Sequence, residues 1–87
     1  MTNESLMEFP CSFPIKMMGH ESPDFHRTVR QIVEKHTGPL DDDAIQSARS
    51  RKGRFVSVTI TVLAKSQEQL DAIYRDATAH ADVLMAL

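Results

Sequence analysis

The chain has 87 residues, 41% hydrophobic and 25% charged, with a formal net charge of −2; this is the balance of a small globular domain with a single core and excludes a disordered or fibrous protein. The slight negative charge removes any global attraction to nucleic acid or an anionic membrane, so such a partner would need a local basic patch. The lone cysteine, Cys11, excludes an internal disulfide and points to a reducing, cytoplasmic setting; no signal segment and no apolar run of membrane-spanning length is expected.

Residues 1–8 are polar and without period and read as a loose leader, with 9–87 as one domain. Phe13, Ile15 and Met17 alternate with Pro14, Lys16 and Met18, the two-residue period of a strand with one face in the core. Because proline cannot donate to a sheet ladder, regular pairing is expected from Ile15, and the strand ends at Gly19. Ser22 followed by Pro23 predicts a helix start, with serine as the cap and proline in the first turn. Phe25, Val29, Ile32, Val33 and His36 then form one stripe, and Gly38-Pro39 marks the stop.

After a loop over Leu40 to Asp43, the weakly patterned segment from Ala44 to Arg49 reads as an edge strand, and Ser50 to Gly53 as a hairpin turn. From Phe55 to Leu63 the alternation is clearest: Val56, Val58, Ile60 and Val62 on one face, Phe55, Ser57, Thr59, Thr61 and Leu63 on the other. Ser66 with Gln69 three residues on is a capping box, followed by the apolar stripe Leu70, Ile73, Tyr74 and Ala77, with Asp71 and Arg75 spaced for a surface ion pair. Val83, Met85 and Leu87 alternate as a last strand. The order predicts an α+β ferredoxin-like βαββαβ sandwich, a four-stranded antiparallel sheet of order 4-1-3-2 with both helices on one face.

Phe9-Pro10, the run from Phe13 to Gly19, the segment SRKGRFVSVT from Ser50 to Thr59, LDAIY from Leu70 to Tyr74, and His80 to Leu87 together resemble the YbeD-like family of small bacterial proteins. The resemblance spans almost the whole chain. It implies a ferredoxin-like domain related in shape to ACT-type regulatory domains, which bind small effectors; a non-enzymatic role without a cofactor is expected instead from the lack of catalytic groups in the sequence. The chain departs from the family's pattern at Ala77, Ala81, Leu84 and Ala86, where a leucine, a proline, a basic residue and a valine are usual. The space above Ala77 is expected to be filled by Met85 or Met7, and the exchange at Leu84 removes a charge from which a surface role would be inferred.

No group of side chains has the spacing of a metal site or a nucleophile. His20, His26, His36 and His80 are scattered, Asp41 to Asp43 lacks the ligand spacing of a calcium loop, and Cys11 has no partner; an enzyme using His20 or Cys11 is the weakest reading. Three other features compete. Gly19, His20 and Ser22 precede a helix, where a small anionic effector would meet free amides, and the resemblance to ACT-like domains implies the same loop. Arg49, Arg51, Lys52 and Arg54 crowd the hairpin beside Phe55, a positive knob for an acidic partner or, as the alternative, RNA or DNA. Met18, Phe55, Leu63 and Leu84 are expected on the helix-free face as a partner or self-association surface, with the edge of the last strand as a rival route to a dimer. The reading is a small regulatory or adaptor domain binding an anionic effector or a protein.

Overall fold

The computed structural model describes residues 8–50 and 52–87, so most of the expected leader, including Met7, and Arg51 of the basic hairpin lie outside the described residues. The elements are β1 (Cys11–His20), α1 (Phe25–Thr37), a 3₁₀ turn (Asp42–Ala44), β2 (Ile45–Arg49), β3 (Phe55–Ala64), α2 (Gln67–Ala79) and β4 (Met85–Ala86). The strands form one antiparallel sheet in the order β2-β3-β1-β4, the expected arrangement read from the other edge. Ile15 and Met17 of β1 and Val56, Val58, Ile60 and Val62 of β3 share a core with Phe25, Val29 and Val33 of α1 and Leu70 and Ile73 of α2, all at 2% exposure or less. Both amphipathic stripes therefore seal the same side of the sheet.

Pro14 does not delay pairing as expected: β1 begins at Cys11, and Pro14 sits opposite Thr61. The hydrogen-bond phase explains this. Lys16 exchanges both backbone bonds with Leu87 at 3.1 and 2.8 Å, so even-numbered residues of β1 direct their amides away from β3. The missing N–H of Pro14 thus falls on the β4 side, past the last paired residue, where no bond is lost.

The two helices start differently. Ser66 caps α2, its hydroxyl accepting from the Gln69 amide at 3.1 Å, as the sequence predicts. The Gln69 side chain reaches one residue further back than a capping box requires: its Oε1 accepts from the Lys65 amide at 2.7 Å while its Nε2 donates to the His36 carbonyl at 2.9 Å. In α1 the expected start at Ser22-Pro23 is two residues early; the helix begins at Phe25 after Asp24, which makes no side-chain cap. A turn from the Ser22 carbonyl to the Phe25 amide instead drops the Phe25 ring onto Gly19. A Cβ on Gly19 would lie 2.4 Å from Phe25 Cε1 and 2.5 Å from the Asp82 carbonyl oxygen, so glycine is there for space.

The phase of β4 also departs from expectation. Met17 pairs with Ala86 and Met18 with Met85, which turns Ala86 toward the core and leaves Met85 and Leu87 at 50% and 61% exposure. Met85 therefore does not fill the space above Ala77. Val83 is buried ahead of the strand, the Leu84 amide donates to the Met18 carbonyl at 2.8 Å, and the Tyr74 hydroxyl donates to the Leu87 carbonyl at 2.9 Å, pinning the strand to α2. Burial raises the Tyr74 pKa, which keeps that donor protonated.

Candidate functional site

The helix-free face of the sheet is read directly from the register. Its successive rows run Phe55 beside His20, then Ala48, Ser57, Met18 and Met85, then Gln46, Thr59, Lys16 and Leu87, then Thr61 with Pro14 and Leu63 with Ser12. Phe55, Met18, Met85 and Leu87 thus form one apolar patch beside Lys16. The His20 ring stacks on Phe55 at 5.1 Å between centroids and 30° between planes, so a residue expected in the ligand loop also borders the apolar patch. Two members of the expected surface lie elsewhere. Leu63, though 59% exposed, is eight residues along β3 from Phe55, about 26 Å away at strand rise. Leu84 is 53% exposed but out of phase with Met85, which holds the place opposite Met18.

Charge is segregated by the same architecture. The sequence has 12 Asp and Glu residues, and none falls within β1, β2, β3 or β4. The helix-free face carries Lys16, with Lys52 and Arg54 at its hairpin border, all exposed. Ser50, Lys52, Arg54 and Phe55 line a depression of about 300 Å³ at that corner. Arg49 leaves the expected cluster: pairing with Val56 places it on the helix side, where its Nη2 lies 3.4 Å from Glu21 Oε2.

The expected ligand loop holds less room than its sequence suggests. Gly19 is buried beneath Phe25, and His20 and Ser22 line, with Phe25, Ala81 and Asp82, a pocket of about 150 Å³. Asp82 makes this a poor seat for an anion. The Glu21 amide is already bonded to the Arg54 carbonyl at 2.9 Å.

The carboxylates with lowered pKa values stand on the helix layer. Asp76 is held below its ordinary value chiefly by a 2.6 Å bond with His36 Nε2, helped by Lys35. Glu34 is lowered first by the Leu40 amide and then by Arg30, which also reaches Asp42 and the Leu40 carbonyl. These bonds staple α1 to α2 and to the loop before β2. The expected Asp71–Arg75 pair is replaced by a bond from Gln67 Nε2 to Asp71 Oδ1 at 3.0 Å, and His80 Nδ1 accepts from the Asp82 amide. Among the described residues no three His, Cys, Asp or Glu side chains gather as a metal site, and no helix is long and apolar enough to cross a membrane.

Comparison with known proteins places this geometry. Residues 4–87 match the family described as "Protein of unknown function (DUF493)". The chain belongs to this family. DUF493 relatives include a UPF0250 protein of Paraburkholderia phytofirmans, 44% identical over 85 residues that cover 98% of this chain and 96% of the relative. A UPF0250 protein of Nitrosomonas europaea is 41% identical over 87 residues, covering both chains completely. This is the grouping that the resemblance to YbeD-like proteins implies. Among solved structures, protein HP0495 from H. pylori is similar in fold, with a TM-score of 0.71 over 93% of this DUF493 chain and 85% of its own, at 13% identity.

Proposed function

We propose that this DUF493 protein is a cytoplasmic, non-enzymatic adaptor or regulatory domain that binds a protein partner through the helix-free face of its sheet. The observation that carries the reading is the exposure of Phe55, Met85 and Leu87 on three successive rows around Met18, beside strands without an Asp or Glu. Solvent-facing apolar side chains that touch one another over several rows are what a contact surface needs and what a solitary chain has no use for. Methionine at two adjoining positions, Met18 and Met85, suits a surface that adapts to its partner. A protein is favoured over a small anionic effector because the loop pocket is small and faces Asp82.

The test is capture of partners from the native cell with tagged wild-type chain, with Phe55→Asp/Met85→Asp, and with Gln31→Asp on the exposed side of α1. A partner lost only with the sheet-face variant supports the reading; one retained by it, or lost with the α1 variant, refutes it. A second reading, RNA or DNA binding, is favoured by the His20–Phe55 stack beside Lys52 and Arg54, since stacked rings next to cations are how single strands are held. An electrophoretic shift at low salt that disappears in Lys52→Ala/Arg54→Ala would support it; no shift at low salt removes it.

A further inference from the structure

The proposed face has the dimensions and charge for a particular kind of occupant. β3, β1 and β4 lie side by side, so the patch is about 10 Å wide, the diameter of one α-helix with its side chains. Resting on the reading that this face binds protein, we propose that the occupant is an amphipathic helix of a partner. Its apolar stripe lies on Met18, Phe55, Met85 and Leu87, and its acidic flanks face Lys16, Lys52 and Arg54. The helix would complete a third layer over the sheet, as α1 and α2 do on the opposite side.

Charge selects the acidic flank. Among the described residues Lys16, Lys52 and Arg54 take part in no ion pair, and Glu21, whose amide bonds the Arg54 carbonyl, turns its carboxylate to Arg49 instead; Arg27, Arg30 and Arg49 each have a carboxylate within 3.4 Å. A border of unmatched cations speeds the encounter with an acidic partner and rejects a basic one. It also argues against a second copy, because two such faces laid together bring cations to cations with no strand carboxylate to separate them. Met18, Met85 and Leu87 give no ring on which bases could stack, and the Phe55 ring is already stacked on His20, so most of the patch suits an apolar stripe better than a run of bases.

The experiment uses the full chain and three probes: a synthetic helix of about 18 residues, or five turns, with a leucine stripe and glutamate flanks, the same helix with lysine flanks, and a labelled oligouridine. Fluorescence anisotropy measures affinity, and methionine methyl resonances report the place of contact. The glutamate helix is expected to shift the Met18 and Met85 methyls and to bind about tenfold tighter than the lysine helix. In Lys52→Glu/Arg54→Glu that preference is expected to reverse. Because these side chains are exposed, circular dichroism should show an unchanged fold. Equal binding of the two helices, binding of neither, shifts confined to the helix side, or tighter binding of oligouridine would overturn the proposal. Should partner capture depend on Phe55 and Met85 while charge reversal at Lys52 and Arg54 changes nothing, the occupant's chemistry is refuted and the reading of the face stands.

Discussion

The two sides of β3 are built from alternate residues of one ten-residue strand and have opposite fates. Val56, Val58, Ile60 and Val62 are at 2% exposure or less under the helices, while Phe55 and Leu63 face solvent at 41% and 59%. The difference teaches that alternation in sequence creates two surfaces, and that only helix placement decides which becomes core. It also separates two kinds of chemistry: the helix side holds the core and the paired charges, while the helix-free side exposes apolar area beside cations that take part in no ion pair among the described residues.

That contrast can be broken by mutation. The largest expected effect is Ile60→Ala, a loss of about 2 to 5 kcal/mol in chemical denaturation, against a change within about 0.5 kcal/mol for Thr61→Ala on the other side. Comparable losses from both would show that the faces are not energetically distinct. Next comes Gly19→Ala, whose Cβ has no room beneath Phe25 and the Asp82 carbonyl; destabilisation of about 1 to 3 kcal/mol is expected from overpacking. Its neighbour His20→Ala, exposed on the helix-free side, should leave the midpoint nearly unchanged.

A smaller effect tests how the covering helices are anchored. Ser66→Ala should cost about 0.5 to 2 kcal/mol through loss of the cap on the Gln69 amide, whereas Ser22→Ala should have little effect because that side chain caps nothing. Equal losses would mean that Ser22 has a role its backbone turn does not account for.

The last prediction concerns acid. Glu34 and Asp76 have folded-state pKa values below their ordinary values of 4.5 and 3.8, so each stabilises the fold above its ordinary value and loses that contribution as pH falls toward the lowered one. Thermal midpoints should therefore decline on acidification below the ordinary values, and less steeply in Glu34→Gln/Asp76→Asn. Both groups belong to the helix layer, so an acid response unaltered by the double variant would contradict the assignment of matched charge to that side.

What could be read before the fold was known follows from which properties are local. The β3 alternation, the α1 stripe and the Ser66 cap depend on near neighbours in the chain, and the structure reproduces them. Pro14 misleads because its cost depends on which way one amide faces, and that is set by Leu87 across the ladder. The same holds for β4: its short run of apolar residues fits either phase, and pairing of Met17 with Ala86 chooses the one that exposes Met85 and Leu87. Phe55 and Met18 were legible as surface residues from alternation alone. Their union with Met85 and Leu87, the distance to Leu63 and the departure of Arg49 toward Glu21 are consequences of cross-strand register, for which one sequence carries no signal.

Gln69 joins two orphan groups that belong to different helices: an amide ahead of α2 and a carbonyl at the end of α1. With one planar carboxamide clamped at both ends, sliding of either helix along the sheet would tear a bond at the other, so the pair is geared together. Gln69→Glu keeps the acceptor and turns the donor into a charge facing a carbonyl, a change of one atom that would uncouple the gear while leaving every apolar contact in place.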